Sequence, residues 1–444
     1  MVLQRNKKVS FLVVLLAISV ATINCQTFDV TKYGAKPNGQ IDQALADAWK
    51  EACAAPSKAT IVVPKGTYNL NKAFFLGPCK SPVVFQMDGI LMAPSAAKGF
   101  KDGEGWVTFE KLQHLTITGT GTFDGNGGQS WGKKCKRTDY CEQLPINIRL
   151  NFITDSVIEG ITTKDSKQFH FTVLEGENLL FTNLKIIAPE ESWTTDGIHL
   201  GRSTNITITD TTIATGDDCI SIGDGTKQLK ITKVTCGPGH GISVGSLGKY
   251  QNELPVEDIT VTDCTFKGTS NGVRIKTWQG STDGVAKGMH FEKLTMDNVE
   301  TPIIIDQKYC PWGACTQFEG VRIYIYMLDY CIILNTYIYI YIYIVLCVKF
   351  TCYVFVCVYI RIQKPSKIKV SDVVFKDIKG TSSTPKVLYL VCGAYPCEGI
   401  QLNNIDLKTT GSKIKGPAKS VCTNVKPEMS GTVNLPPCTT DDSA

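Results

Sequence analysis

The stretch of sequence that decides the fold is DGIHLGRSTNITITDTTIATGDDCISI, residues 196–222. It contains short runs in which apolar and polar residues alternate, and Gly, Asn or Asp residues separate these runs. Alternation with a period of two is typical of strands that bury one face. The stretch opens with DGIHL and closes with DCISI, so a unit of about twenty to thirty residues repeats. Short strands that recur at this interval predict a solenoid.

The same five-residue pattern returns further along the chain. Its later copies are HGISV (240–244), NGVRI (271–275) and TPIII (301–305). If these segments are equivalent strands of successive coils, they stack about 4.8 Å apart. The variable first residues of the segments then form a column at the edge of one face. The column consists of Asp196, Asp218, His240 and Asn271.

The flanking sequence supports an all-β solenoid with one helix. Alternating runs also occur in NLLFTNLKI, QLKITKVTC, DITVTDCTF, IKVSDVVFKDI and GIQLNNIDL. In IDQALADAWKEAC (41–53), by contrast, the apolar residues fall at helical spacing. A solenoid buries each unit only against its neighbours, so its open end needs a cap. We therefore predict one parallel solenoid whose N-terminal end is covered by this helix.

The adjacent carboxylates Asp217 and Asp218 repel each other and would be costly in a core. Their place before the strand CISI puts them at the edge of a coil. The alternation in NGVRIK (271–276) places Arg274 and Lys276 on the outward face, beside these carboxylates. Such a group suits acid/base hydrolysis, in which a protonated carboxyl donates to the leaving oxygen and an ionised one activates water. The two cations favour an anionic substrate.

Four motifs together resemble the plant polygalacturonases of glycoside hydrolase family 28. They are TTDGIHL (194–200), TGDDCISIG (215–223), GPGHGISVGSLG (237–248) and NGVRIKTW (271–278). The resemblance covers nearly the whole chain after its leader. It implies a right-handed parallel β-helix of the pectin-lyase type and hydrolysis of α-1,4-linked galacturonan with inversion, and we expect no metal or other cofactor. The segments GRSTNITI, GDGTKQ and GSLGKYQNELPV are most similar to the pollen exo-acting branch.

The resemblance also implies a role for individual residues. Asp217 would be the general acid, and Asp196 and Asp218 would position and activate the water. His240 would tune the site through a hydrogen bond to the acid. The substrate-binding residues would be Arg274 and Lys276, which hold a galacturonate carboxylate, and Tyr309, which lines the cleft.

The chain departs from the family pattern at two places. Thr194 stands where the family usually has Asn, and a hydroxyl lacks the amide donor, so we expect a lower affinity or rate. At about residues 321–363 a Tyr-Ile-rich insert interrupts the catalytic domain (26–444), where the family would pass almost directly from TQFE to PSKIKVSD. A translated TA dinucleotide run gives such repeats, so we interpret the insert as a retained intron. A transmembrane helix is the alternative interpretation.

The charge balance does not favour a nucleic-acid partner, and the N-terminal segment indicates a secreted protein, for which we expect no membrane partner. The chain has 444 residues, of which 43% are hydrophobic and 20% charged, and its formal net charge is +5. This small surplus forms no basic stripe of the kind that nucleic-acid binding needs. Residues 1–25 combine a basic start with a short apolar run, which is typical of a signal peptide, with a membrane anchor as the alternative interpretation. We expect an extracellular or cell-wall monomer whose partner is polygalacturonate.

The cysteines agree with an oxidising compartment. The chain has 18 of them, and several lie close together in sequence. Cys264 lies in a strand-like segment and would be a buried free thiol. The possible pairs are Cys53 with Cys79, Cys135 with Cys141, Cys219 with Cys236, Cys310 with Cys315, Cys392 with Cys397, and Cys422 with Cys438.

Three other functions compete with hydrolysis of galacturonan. The carboxylates Asp196, Asp217 and Asp218 with His240 could hold a divalent cation, as in a calcium-dependent pectate lyase on a similar fold. The insert could leave an inactive pectin-binding wall protein. GISVG (241–245) matches the GxSxG of serine hydrolases, but that motif needs a helix after the serine, and the following sequence has no helical period.

Overall fold

A computed structural model of the chain describes residues 26–101, 103–131, 144–311, 315, 318–327, 346–348, 351–411, 414 and 416–440. Thirty-three strands belong to one sheet, and its strand pairs are parallel. Through the middle of the chain each strand pairs with the third strand after it, so one coil passes through three faces. The predicted all-β parallel solenoid is therefore confirmed as a parallel β-helix.

The described residues form one α-helix, two 3₁₀ turns and 36 strands. The helical elements are the 3₁₀ turn Val30–Tyr33, α1 (Asp42–Ala54) and the 3₁₀ turn Gly127–Gln129. The first strands are β1 (Gln26–Asp29), β2 (Ala59–Val63), β3 (Thr67–Asn69), β4 (Ala73–Leu76), β5 (Val83–Met87), β6 (Ile90–Met92), β7 (Gly105–Gln113), β8 (Thr116–Thr118), β9 (Thr122–Asp124), β10 (Ile146–Glu159), β11 (Thr162–Lys164) and β12 (Phe171–Leu174). The middle strands are β13 (Glu177–Thr182), β14 (Lys185–Ile187), β15 (Ile198–Gly201), β16 (Thr204–Thr209), β17 (Thr212–Ala214), β18 (Ile220–Ile222), β19 (Lys227–Thr232), β20 (Thr235–Cys236), β21 (Ile242–Leu247), β22 (Val256–Thr262), β23 (Thr265–Lys267) and β24 (Asn271–Trp278). The last strands are β25 (Gly284–Glu292), β26 (Thr295–Val299), β27 (Thr301–Tyr309), β28 (Phe318–Met327), β29 (Leu346–Val348), β30 (Thr351–Gln363), β31 (Ile368–Ser382), β32 (Lys386–Val391), β33 (Glu398–Thr409), β34 (Lys419–Thr423), β35 (Glu428–Asn434) and β36 (Cys438–Thr439).

One face of the solenoid, here called the site face, contains β15, β18, β21, β24 and β27 as consecutive rungs. These are the five segments that the sequence repeat identified, and their predicted equivalence is confirmed. Their inward residues stack in register and are fully buried, which contributes roughly 1.5–3 kcal/mol per aliphatic side chain. One such row is Ile198, Ile220, Ile242, Val273 and Ile303.

The predicted N-terminal helix is confirmed as α1. Its apolar residues Leu45, Ala48, Trp49 and Ala52 are buried against the first coils. The Trp49 ring lies 4.8 Å from that of Phe75, measured between centroids. The helix therefore covers apolar residues of the first coils, as the end of a solenoid requires.

Five of the predicted disulfides lie within the described residues, and all five are confirmed. Cys264 is a buried free cysteine, as predicted, and burial raises the pKa of its thiol to about 12. The predicted pair Cys135–Cys141 lies outside the described residues, as does the predicted signal peptide 1–25. The confirmed pairs are Cys53–Cys79, Cys219–Cys236, Cys310–Cys315, Cys392–Cys397 and Cys422–Cys438.

The insert forms strands that lie outside the parallel sheet. β28, β30 and β29 make a separate antiparallel sheet, in which Phe318 pairs with Gln363. The solenoid meanwhile continues across the insert, because β25 pairs directly with β31, and β27 with β32. In the described ranges no helix has the length and apolar character to cross a membrane. The described parts of the insert are strands, and residues 328–345 and 349–350 lie outside the described residues.

Candidate active site

The column predicted from the repeat lies at the edge of the site face. Two positions before the row that begins with Ile198, the register aligns Asp196, Asp218, His240 and Asn271 on four successive coils. Asn271 ends the column by donating from Nδ2 to the backbone carbonyl of His240 at 3.0 Å. The carboxylates therefore lie where the backbone turns into each rung.

Small residues after each column member allow the coils to stack closely. Gly241 has φ of +83°, and a Cβ there would lie 2.2 Å from the carbonyl oxygen of Asn271 on the next coil. A side chain at Gly197 would similarly meet the carbonyl oxygen of Cys219 at 2.4 Å. This close packing explains the small second residue of the repeat, and it brings the side chains of neighbouring coils together.

Asp218 is the most enclosed carboxylate of the group, with 1% of its surface exposed. Lys276 donates from Nζ to Oδ2 at 2.6 Å, and Arg274 donates from Nη2 to Oδ1 at 2.8 Å. The hydroxyl of Ser243 also donates to Oδ1, at 2.7 Å. Burial alone would raise the pKa of Asp218, but the charges of Lys276 and Arg274 outweigh it and hold the pKa below its ordinary value. Asp218 is therefore ionised in the acidic range where a carboxyl pair works.

Asp196 has the opposite electrostatic environment. It is 6% exposed, and the hydroxyl of Ser221 donates to its Oδ2 at 2.6 Å. Burial raises the pKa of Asp196 well above its ordinary value, and the negative charges of Asp217 and Asp218 raise it further. The site thus holds two buried carboxyls whose pKa values are pushed apart, as a division into different roles requires.

Asp217 is the most accessible of the three carboxylates, with 29% of its side chain exposed. Its Oδ1 lies 2.7 Å from Nδ1 of His240 and also accepts from the backbone N–H of Asp218 at 2.8 Å. Burial would lower the pKa of His240, but the neighbouring Asp217 carboxylate outweighs it, so the pKa of His240 is raised. The expected contact between His240 and the proposed acid is therefore present.

Arg274 and Lys276 project from the site face as the alternation indicated, but they are enclosed. Their side chains are 14% and 8% exposed, and both form ion pairs with Asp218. The coil spacing brings both cations within contact distance of Asp218, which the alternation alone did not predict. Tyr309 lies next to them, with Nζ of Lys276 5.4 Å from its ring centre, and burial raises the pKa of its hydroxyl.

Sequence reasoning missed three residues that support the carboxylates: His199, Ser221 and Ser243. They occupy the same outward register position as Arg274 on successive rungs. The signal was present in the sequence, because each one alternates with buried aliphatic residues in DGIHL, DCISI and HGISV. Ser243 lies inside β21, which is a strand with no following helix, so the serine-hydrolase interpretation of GISVG is wrong.

One group of side chains could offer ligands to a metal ion. Among the described residues, ligand atoms of Asp217, Asp218 and His240 lie within 4.8 Å of one another. Both oxygens of Asp218, however, already accept from Lys276 and Arg274. Two cations at this distance repel a third, so the donor set suits an anionic or neutral ligand better than a divalent cation.

Thr194 lies beside the carboxylates at the turn before β15. Its hydroxyl lies 3.5 Å from the backbone carbonyl of Lys167, which is a long contact for a hydrogen bond. Lys167 is itself buried and donates from Nζ to the carbonyl of Pro94 at 2.6 Å, and burial lowers its pKa to about 8. The expected effect of Thr194 on affinity or rate stays a prediction.

Comparison with known proteins identifies the family. The model of glycosyl hydrolases family 28 matches residues 53–328 and 359–432, which is more than half of the chain. The chain belongs to glycosyl hydrolase family 28. The match stops at residue 328 and resumes at residue 359, so the family pattern is interrupted within the insert.

Family 28 relatives align with this chain over almost its whole length. A polygalacturonase from Gossypium hirsutum is 43% identical over 433 residues, which cover 96% of this chain and 94% of that protein. An exopolygalacturonase from Oenothera organensis is 45% identical over 392 residues, covering 88% and 95%. The structure of an endo-xylogalacturonan hydrolase from Aspergillus tubingensis superposes with a TM-score of 0.67 at 20% identity, covering 94% of this chain and all of that one. The last comparison supports the fold alone.

Proposed function

We propose that this family 28 protein hydrolyses the α-1,4-galacturonosyl linkages of polygalacturonate with inversion of configuration. The observation that carries the proposal is the arrangement of Asp196, Asp217 and Asp218 at one edge of the site face beside two cations. Further support comes from the relatives named as polygalacturonases at more than 40% identity. An acidic polysaccharide also fits a cleft that holds Arg274 and Lys276.

Asp217 acts as the general acid in this mechanism. It is the exposed member of the group, so its free oxygen is the one that a glycosidic oxygen can approach. Asp217 transfers its proton to that oxygen as the bond to the anomeric carbon breaks. The hydrogen bond from His240 holds the carboxyl in place and, with a raised pKa, the imidazole supplies positive charge beside it.

Asp196 and Asp218 lie deeper and act on the water. An inverting hydrolase needs a water molecule on the face of the sugar opposite the leaving group, where a carboxylate removes its proton as the oxygen attacks. The ion pairs with Lys276 and Arg274 keep Asp218 ionised, so that it can accept a hydrogen bond from this water and position it. Arg274, Lys276 and Tyr309 also form the binding surface for a galacturonate carboxylate next to the cleaved bond.

Exo action, secretion and the origin of the insert are also part of the proposal. The similarity to the Oenothera exopolygalacturonase supports release of single galacturonate units from a chain end. The five disulfides are compatible with an oxidising, extracellular location, as is the leader at residues 1–25. The insert at 321–363 is proposed to come from a retained intron.

The test measures products from polygalacturonate and from its fully methyl-esterified form. We expect new reducing ends from the acid form, with monogalacturonate as the first product and no unsaturated sugar absorbing in the ultraviolet. A chelator should leave the rate unchanged. An unsaturated product together with loss of activity on chelation would identify a lyase, and binding without cleavage would identify a non-enzymatic wall protein.

A further inference from the structure

Three side chains form a continuous hydrogen-bond chain that ends at Asp196. Oγ of Ser221 lies 2.6 Å from Oδ2 of Asp196, and Nδ1 of His199 lies 2.7 Å from the same Oγ. The three residues come from two coils, because His199 on β15 pairs in register with Ser221 on β18. Asp196 precedes β15 by two residues, so the hydrogen-bond chain begins at His199 on β15, crosses to Ser221 on the next coil and returns to Asp196 beside β15.

The serine hydroxyl has a single hydrogen, and this fixes how the chain can be arranged. If Asp196 is ionised, it only accepts, so Ser221 must donate to it and Nδ1 of His199 must carry the hydrogen. If Asp196 is protonated on Oδ2, the carboxyl donates to Ser221, and Ser221 donates to an unprotonated Nδ1. The tautomer of His199 is thereby coupled to the protonation state of Asp196.

Asp218 has a similar chain, but its direction cannot reverse. Nε of Arg274 donates to Oγ of Ser243 at 3.0 Å, and Ser243 donates to Asp218. A guanidinium has no acceptor, so this serine always donates toward its carboxylate. The hydrogen-bond partners of the two buried carboxylates therefore differ. Those of Asp218 can only donate to it, whereas Ser221 can either donate to Asp196 or accept a proton from it.

The environment of His199 holds the ring in place and keeps it neutral. The ring lies 5.2 Å from that of Phe169, and a side chain at Gly223 would meet its far edge at 3.5 Å. Burial and the charge of Lys276 lower the pKa of His199 to about 4, with Arg149 acting in the same direction and Asp218 and Asp224 opposing it. Burial and the negative charges of Asp217 and Asp218 raise the pKa of Asp196, and the positive charge of Lys276 lowers it. Above about pH 4 the imidazole is neutral and can donate or accept at Nδ1.

We infer that His199 is a positioning residue that acts through Ser221 to hold Asp196 in the ionised form that accepts the proton of the attacking water. The inference rests on the proposed function, and it names Asp196, and not Asp218, as the general base. In the step, the water oxygen bonds to the anomeric carbon, one water proton passes to Asp196, and Asp217 gives its proton to the leaving oxygen. A carboxylate with a raised pKa is a stronger base than one held by two cations.

The kinetic test uses the pH profile of kcat/KM on polygalacturonate. Ser221→Ala removes a hydrogen bond to a charged acceptor, so the acidic limb should move up by about one pH unit. His199→Leu should move it in the same direction and lower kcat by about 10- to 100-fold, with little change in KM. His199→Asn, whose amide nitrogen can replace Nδ1, should restore most of the rate. The double variant should shift no further than Ser221→Ala, because both substitutions break one chain.

A substrate-free readout separates this inference from the proposed function. The ¹⁵N chemical shifts of His199, one of five histidines, should indicate the Nδ1–H tautomer above the acidic limb and the Nε2–H tautomer just below it. Ser221→Ala should abolish this change, and the control Ser243→Ala should preserve it. A tautomer that does not respond to pH, additive kinetic effects, or a uniform loss that Asn does not rescue would each overturn the inference. Thermal unfolding checks that each variant is folded, and failure of the wild type to cleave polygalacturonate would reject the proposed function alone.

Discussion

Lys276 and Asp218 form an ion pair in which Nζ lies 2.6 Å from Oδ2 and the two side chains are 8% and 2% exposed. The residues are separated by 58 positions in the sequence. Lys276 lies on β24 and Asp218 lies two residues before β18, with β21 between these strands. The pair links the stacking of three coils to the charge of one carboxylate. The stability of the folded protein and the ionisation of Asp218 therefore depend on the same contact.

The first prediction concerns Asp217→Asn, which keeps the shape of the side chain and removes the acid. Turnover on polygalacturonate should fall about 10²- to 10⁴-fold, which is the usual share of general acid–base catalysis. The melting temperature should change little, because Asp217 is partly exposed. The matched control is Asp210→Asn, an exposed carboxylate, which should retain turnover. Comparable loss in both variants would remove Asp217 from the role of acid.

The second prediction concerns Lys276 and revises what the sequence alone suggested. The outward position of Arg274 and Lys276 in the strand alternation predicts that their substitution weakens substrate binding much more than folding. Because both side chains contact buried Asp218, however, their removal should also destabilise the protein. Lys276→Met should lower the free energy of unfolding by up to about 3–5 kcal/mol, because the buried charge of Asp218 loses one of its two cationic partners and keeps only Arg274. Chemical denaturation measures this loss.

The control for this experiment is Lys287→Met, which removes an exposed lysine that lies 3.2 Å from Glu257. Its cost should be about 0–1 kcal/mol, as for other surface ion pairs. Activity of the Lys276 variant should fall more on polygalacturonate than on the methyl-esterified form. Equal stability losses for the two lysines would show that the pair with Asp218 contributes nothing to folding.

The third prediction follows from the lowered pKa of Asp218. A carboxylate whose pKa is lower in the folded state stabilises the protein above its unfolded pKa of about 3.9, and this contribution is lost as the pH falls toward the folded pKa. The difference in melting temperature between the wild type and Asp218→Asn should be largest above about pH 5 and should narrow below about pH 4. A difference that widens in acid would contradict the assigned direction.

The fourth prediction concerns deletion of residues 321–363. Phe318 and Gln363 face each other in an antiparallel pair, so the chain leaves and re-enters the solenoid at neighbouring points, and a short connection can close the gap. The shortened protein should keep the parallel sheet and be more soluble than the full chain, because a long apolar segment with strand propensity promotes aggregation. If the full-length form is equally soluble and active, the retained-intron interpretation is wrong.

The repeat in the sequence predicted the fold and the column of Asp196, Asp218 and His240, because strand register follows from the two-residue alternation. It did not predict that Arg274 and Lys276 contact Asp218. That contact depends on how closely the coils stack and on the two side chains reaching across β21, which the alternation alone does not determine. The hydrogen bonds of Ser221 to Asp196 and of Ser243 to Asp218 were also missed. The alternation in CISI and GISV places each serine on the outward face, but it does not determine which side chain the hydroxyl contacts.

The central claim is that three carboxylates carry out a direct displacement by water at the anomeric carbon. The measurement that tests it most directly is ¹H NMR of the first product released from polygalacturonate, recorded before mutarotation. The account predicts that the new reducing end appears first as the β-anomer, inverted from the α-linkage of the substrate. An α-anomer would require a covalent intermediate on one of the aspartates and would contradict the roles assigned to Asp196, Asp217 and Asp218.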